Sequence, residues 1–278
     1  MGMNQAGRSP HAKVADGTGT AAPLEDLAAG SIDPHAIALF LDFDGTLVGF
    51  ADHPEQVFLL AETRAALTLL SGALGGALAV VTGRDIGVVD GFLAPLRLPV
   101  AGVHGLKRRS ADGALHEAVV DGQVLGALHD RLARLVEISP GLLLERKSAS
   151  VALHYRARPE LEGRCIAAMD EAVAGLAGLH LMRGKMVIEA KADGSDKGGA
   201  VEEFLAEQPF AGRRPFFAGD DVTDEDAFAA VNARGGVSIK VGPGPTAARY
   251  RAADIADFLA WLQGLAETVK GASQIDQS

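Results

Sequence analysis

Leu39 to Val48 reads LFLDFDGTLV, an apolar run into which two acids, Asp42 and Asp44, are set directly before Gly45. Successive side chains on a strand point to opposite faces, so on a continuous strand the two carboxylates share a face. Like charges side by side repel each other and are costly to bury without a cation or a proton between them. The plain alternative is a strand that ends at Asp42 and turns at Asp44-Gly45, an ordinary turn pair. Partners elsewhere in the chain decide between the two.

Outward from this stretch, strand-like and helix-like patterns alternate. Residues 36–44 (AIALFLDFD) read as a buried strand, 56–70 (QVFLLAETRAALTLL) as a helix and 77–83 (ALAVVTG) as a second buried strand. A short helix over 85–95 and a third strand over 98–105 (LPVAGVHG) follow. Short apolar runs bounded by glycine and separated by helices mark a parallel sheet covered on both faces. From about Lys107 the pattern changes to a hairpin around Asp112-Gly113 (106–120), an amphipathic helix (123–138) and two strands joined near Ser148-Ala149 (142–156). A helix over 159–176 and a hairpin around Gly184 (179–192) complete this stretch. Hairpins packed by helices form an antiparallel α+β unit, here inserted into the first domain.

The parallel pattern then resumes: helix over 195–208, strand over 214–221, helix over 223–232, strand over 237–242 and a last helix around 254–267. VGPGPTAARY (241–250) reads as a turn before that helix. The expected fold class is α/β, a doubly wound parallel core with an inserted α+β cap. The core takes residues 35–108 and 190–270 and the cap 109–189, between a mobile N-terminal tail (1–34) and a C-terminal tail (271–278).

Composition narrows the function. At 278 residues, 48% hydrophobic and 22% charged, the chain suits a soluble globular protein of more than one domain. A net charge of -10 without a long basic run argues against a nucleic-acid partner. The lone cysteine, Cys165, sits among apolar residues at helical spacing and reads as core filler in a reducing compartment. The N-terminus lacks the apolar stretch of a secretory signal and has Ala6 where a myristoylation signal needs Ser or Thr. The most apolar segment, LLSGALGGALAVV, is broken by glycine and shorter than the ~20 residues that span a bilayer. A cytoplasmic monomer without a membrane partner is the expectation.

Ligands of an open parallel sheet bind outside the carboxyl ends of its strands. Asp42, Asp44, Thr82, His104, Asp220 and Asp221 all fall at such ends. In GDDVTDEDAF, Thr223 suits a helix N-cap, and Asp224, Glu225 and Asp226 suit the positive end of the helix dipole. That account covers Glu225 and Asp226, but Asp220 and Asp221 precede the cap. A cluster of hard oxygen ligands suits Mg²⁺, which often bridges carboxylate and phosphate. Lys197 falls in the first turn of its helix, where a cation is disfavoured by roughly 0.3–1 kcal/mol. Aimed into the crevice, it would balance the carboxylates and bind a phosphoryl group.

In this order, DFDGT, the Thr of VVTGR, the Lys of SDKGG and the acids of GDDVTDE resemble the four motifs of haloacid dehalogenase (HAD) superfamily phosphatases. GVHG, LERKSASVALHYR and KMVIEAKADGSDKGGAV extend the resemblance to the trehalose-6-phosphate phosphatase family, over about Ile37 to Ala266. The resemblance implies Asp42 as the nucleophile that becomes an aspartyl phosphate and Asp44 as the acid and base. It implies Mg²⁺ on the Asp42 carboxylate, the Asp44 carbonyl and Asp220, supported by Asp221 or Asp224. Thr82 and Lys197 would hold phosphoryl oxygens, and Gly45 and Arg84 join the substrate-binding residues. In the cap, alternation pairs Glu145 with Lys147, His154 with Arg156, and Val187 with Glu189. The family's sugar contacts match Glu145, Lys147, Lys185 and Glu189, with His154 and Arg156 beside them. His104 lines the crevice or bonds a loop carbonyl. The implied reaction is hydrolysis of trehalose 6-phosphate, a small sugar phosphate. Competing readings are a phosphatase for sucrose phosphate or mannosyl-phosphoglycerate, a sugar phosphomutase, and a sensor without turnover.

Overall fold

The structure, a computed structural model, describes residues 21–49, 58–117, 121–147, 149–184, 186–192 and 196–275. In chain order, β1 (Ala22–Pro23) precedes β2 (Ile37–Leu41), α1 (Ala61–Ala73), β3 (Leu78–Val81), α2 (Ile86–Leu93), β4 (Val100–Gly102), β5 (Lys107–Arg109) and β6 (Leu115–Glu117). The inserted stretch holds α3 (Gly122–Glu137), β7 (Leu143–Arg146), β8 (Ser150–His154), α4 (Glu162–Val173), β9 (Leu179–Gly184) and β10 (Val187–Ala192). The chain returns through α5 (Lys197–Leu205), β11 (Arg214–Gly219), α6 (Asp224–Ala233), β12 (Val237–Val241), β13 (Tyr250–Ala252) and α7 (Ile255–Ile275).

The core sheet runs β1-β13-β12-β11-β2-β3-β4-β5-β6, parallel from β1 to β4 and antiparallel over the last two pairings. The strand order reverses between β2 and β11, because the chain leaves β2 towards β3 and returns on the other side. A crevice opens at such a switch point, and Asp42 and Asp220 stand at the ends of these two strands. All five residues of β2 are buried, as a strand covered on both faces requires. Phe40 stacks on Phe210 at 5.4 Å and packs on Phe204 of α5 at 5.9 Å. Asp42, two residues on, heads towards the same helix.

The cap sheet is antiparallel in the order β7-β8-β10-β9. Its register separates two faces. Leu142, Val151, Leu153, Ile188 and Ala190 form a second apolar core with Leu125, Leu128 and Leu132 of α3 and Cys165 and Met169 of α4. Glu145, Ser150, His154, Glu189 and Lys191 lie on the opposite face. Cys165 is fully buried, as core filler should be.

Several expectations need correction. The hairpin placed in the cap, β5 and β6, pairs with β4 and extends the core sheet. Arg109 fixes it there through two bonds of 2.6 Å to Asp90 in α2, and Arg108 through Glu203 and Glu207 at 2.8 and 2.6 Å. The N-terminal tail ends sooner than residue 34: β1 pairs with β13, Leu24 is buried, and the Trp261 indole donates to the Leu27 carbonyl at 2.9 Å. Residues 1–20 lie outside the described residues. The cap strand β10 ends at Ala192 as the hairpin reading had it, which carries the cap past the boundary drawn at 189, and α7 runs to Ile275, past the core boundary at 270. The helix expected from residue 56 starts at Ala61, and the turn read over 241–250 leads into an unexpected strand, β13, before the last helix. No helix among the described residues is long and apolar enough to cross a membrane.

Candidate active site

The strand β2 ends at Leu41, so strand alternation does not carry Asp44. The chain turns instead, with Gly45 at φ 81° and an isolated bridge from Asp44 to Val48. The turn reading therefore holds for the backbone, and the two acids meet different partners.

Asp42 is buried, and Lys197 donates to its Oδ1 at 2.7 Å and to Asp224 Oδ1 at 2.7 Å. Lys197 is only 3% exposed. It gains this position because Asp196 caps α5, accepting from the Gly199 amide at 2.7 Å, which aims the first turn at the crevice. Ligand oxygens of Asp42, Asp220 and Asp224 lie within 4.8 Å of one another. Burial raises the Asp42 carboxyl against the pull of Lys197, and burial with Asp224 and Asp221 raises Asp220 to about 6. Asp224 is raised by burial and by Asp42. Burial would lower Lys197, but Asp42, Asp224 and Asp221 outweigh it and raise it.

Two glycines make room for this crowding. A Cβ on Gly45 would lie 2.3 Å from the Asp220 carboxylate carbon, and one on Gly219 2.2 Å from that of Asp224. The Asp220 Oδ1 is buried without a hydrogen-bond partner among the described residues. Hard oxygens, negative charge in excess of Lys197 and an unpartnered buried oxygen together fit a divalent cation. Asp221 stands apart from this trio: it accepts from the Thr223 amide at 2.8 Å and hydroxyl at 2.7 Å, and lies 4.0 Å from Lys197. Thr223 thus makes no side-chain cap for α6. Lys240, absent from the sequence reading, is buried and donates to the Asp220 carbonyl, bracing the strand end. An unremarkable lysine in VSIKVG gave no local signal of that role.

Arg84 forks onto Asp44, with Nε to Oδ2 at 2.7 Å and a terminal nitrogen to Oδ1 at 2.6 Å. Its guanidinium lies over the Phe43 and Phe92 rings at 5.5 and 5.2 Å. Arg84 was expected among the substrate contacts, and the structure makes it the partner of Asp44. Thr82 is buried, and its hydroxyl accepts from the Arg84 amide at 3.2 Å.

A cavity of about 270 Å³ lies between core and cap, lined by Val103, His104, Lys147, Ser150, Glu189, Lys191 and Thr223 among others. Glu189 accepts from Lys147 at 3.1 Å and from Ser150 at 2.5 Å. His104 enters over Gly83, where a Cβ would lie 2.7 Å from its Nε2. Burial, with Lys191 and Lys197 nearby, lowers His104 to about 4, so it is neutral at pH 7. It makes no side-chain bond to a loop carbonyl: its Nδ1 is buried without a partner among the described residues. Glu145 pairs with His154 at 3.0 Å and approaches Lys147 at 3.9 Å, but neither Glu145 nor His154 lines the cavity. Arg156 is exposed beyond β8, and Lys185 lies outside the described residues. Ser150 and Lys191 line the cavity without having been singled out in the sequence.

A family model described as trehalose-phosphatase matches residues 40–256. A trehalose-6-phosphate phosphatase of Escherichia coli (strain K12) is 39% identical over 226 residues, covering 81% of this chain and 85% of the relative. A probable trehalose-phosphate phosphatase of Sinorhizobium fredii (strain NBRC 101917 / NGR234) is 42% identical over 219 residues, covering 78% and 82%. Among solved structures, an Aspergillus fumigatus trehalose-6-phosphate phosphatase superposes with a TM-score of 0.75 at 23% identity, covering 90% of this chain and 100% of that one. A phosphatase of the haloalkanoate (HAD) superfamily from Bacteroides thetaiotaomicron gives 0.58 at 17% identity, covering 85% and 95%. Those two structures speak for the fold. With the family model across most of the chain and these sequence relatives, the chain belongs to the trehalose-phosphatase family and is a phosphatase.

Proposed function

We propose that this phosphatase hydrolyses trehalose 6-phosphate to trehalose and phosphate through an aspartyl phosphate on Asp42. The observation that carries the chemistry is the buried Asp42, held 2.7 Å from Lys197 at the switch point of the sheet. The names of the relatives carry the choice of sugar.

An Asp42 carboxylate oxygen attacks phosphorus and the bond from phosphorus to the sugar oxygen breaks. Asp44, placed by Arg84, takes up a proton from solvent as the substrate binds and gives it to the departing sugar oxygen. Asp44 then takes a proton from water as the water oxygen attacks phosphorus, which frees phosphate and restores Asp42. The Thr82 hydroxyl and Lys197 ammonium hold the phosphoryl oxygens, and Lys197 offsets charge that grows there. Mg²⁺ held by Asp42, Asp220 and Asp224, in preference to Asp221, would supply neutralisation of the crowded carboxylates and of the phosphoryl oxygens. The cap cavity, with Lys147, Glu189 and His104, supplies donors and acceptors for sugar hydroxyls. A cytoplasmic monomer working on a free sugar phosphate completes the proposal.

Phosphate release from a panel of sugar phosphates, with Mg²⁺ and then with a chelator, tests it. Preference for trehalose 6-phosphate that disappears on chelation is expected. Preference for sucrose phosphate or mannosyl-phosphoglycerate would replace the substrate, and transfer of phosphate between sugar positions without release would make the protein a mutase.

A further inference from the structure

Lys191 ends the polar row on the open face of the cap sheet. Its register partners are Ser150 on β8 and His180 on β9, so it shares a face with Glu189 and Lys147. It is 7% exposed, and what remains accessible faces the cavity between cap and core. Lys191 acts on the Glu189 and Asp226 carboxylates through its charge, pulling both down against the burial that raises them, and adds to the burial that holds His104 down on the other side of the cavity. Of these carboxylates Glu189 lines the cavity, and it already accepts from Lys147 and Ser150. A cation set in the cavity wall, beside a carboxylate already engaged by two other donors, is placed to give hydrogen bonds to whatever fills the cavity.

An unsatisfied group faces the same space. His104 Nδ1 is buried without a partner among the described residues, and the backbone carries Val103 and His104 at φ 51° and 55° to place the ring there. A cationic donor and a neutral imidazole, which offers one donor and one acceptor, match the hydroxyls of a polyol better than a second anion. Phosphate already has Lys197 and Thr82 on the core side. We propose that Lys191 is a sugar-binding residue, donating to hydroxyl oxygens of the substrate's sugar opposite His104 and so contributing to substrate choice. This rests on the reading of the protein as a sugar-phosphate phosphatase.

The test compares Lys191→Met with the full-length wild type on two substrates: the preferred sugar phosphate, and p-nitrophenyl phosphate, which shares the phosphoryl group and lacks the hydroxyls. The expected result is a loss of about 10- to 100-fold in kcat/KM on the sugar phosphate, the range for a charged hydrogen bond. It falls mostly on KM, and kcat/KM for p-nitrophenyl phosphate stays within about twofold of wild type, because no hydroxyl contact is involved. Free trehalose should inhibit p-nitrophenyl phosphate turnover less in the variant. The Tm should change little, since Glu189 keeps Lys147 and Ser150 as donors when Lys191 is removed. Equal loss on both substrates, or no loss on either, would overturn the proposal, as would a lower Tm with the substrate ratio unchanged. If Lys191→Met does not fold, Lys191→Gln, which keeps a donor but loses the charge and reach of the ammonium, should shift the same ratio in the same direction by less, and an unchanged ratio would overturn the proposal. Should the wild type prefer another sugar phosphate, trehalose 6-phosphate is displaced as substrate. The role of Lys191 is then decided by the same comparison on that sugar phosphate, with its free sugar as the inhibitor.

Discussion

Asp42 and Asp44 stand two positions apart and answer to different cations, Lys197 and Arg84. That both acids fall at the strand end that opens the crevice was legible, because acids at the end of an apolar strand have no packing use. Their partnering was not: Arg84 lies forty positions beyond Asp44, and a fork onto a carboxylate leaves no local pattern. Arg84→Lys keeps the charge and loses the fork, so kcat should fall by about 100-fold through misplacement of Asp44, with KM little changed. Steady-state kinetics on the preferred substrate checks this. The acid cluster also sets a pH dependence. Burial and mutual repulsion raise Asp220 to about 6, Asp42 to about 7 and Asp224 to about 8, from 3.8. The folded state keeps these protons to higher pH than the unfolded chain. Their contribution favours folding fully below about pH 4 and is lost as pH rises through the folded values. Mg²⁺ should therefore raise the Tm of chelated protein clearly at about pH 8 and little at about pH 5, where protons compete with it. Melting curves with and without Mg²⁺ decide it, and an equal shift at both pH values would contradict the account.

At the scale of elements, apolar runs bounded by glycine were enough to give β2, β3, β4, β11 and β12. The hairpin of β5 and β6 was placed with the cap because the pattern changes from about Lys107, and nothing local ties Arg108 and Arg109 to the core sheet. Their burial follows from ion pairs with Asp90, Glu203 and Glu207, which meet them only in the folded chain. The tight turn after β2 belongs to the same scale. Gly45 combines a positive φ with contact to Asp220, so Gly45→Ala is strained in backbone and in space. The backbone part alone costs roughly 1 kcal/mol. Displacement of Asp220 should add at least about a tenfold weaker Mg²⁺ affinity. Titration calorimetry with Mg²⁺ measures the affinity and thermal melting the stability; unchanged affinity would remove Asp220 from the metal site.

Across the whole molecule, the core supplies phosphoryl chemistry and the cap a polar cavity above it. Thr223 and His104 link the two: Thr223 lines the cavity and holds Asp221, while His104 feels both Lys191 and Lys197. The division into core and inserted cap was legible because hydrophobic patterning switches from buried parallel runs to alternating hairpins. The cavity was not, since its walls come from four separate stretches of chain that meet only across the seam. The proposed function rests on Asp42 carrying the phosphoryl group while the cap holds the sugar. The most direct measurement is mass spectrometry of enzyme quenched in acid during turnover of trehalose 6-phosphate, for wild type and Asp42→Asn. The account predicts a phosphoryl adduct on the peptide carrying Asp42, and a variant that is folded, free of adduct and without turnover. An adduct on another residue, or turnover retained by Asp42→Asn, would contradict it.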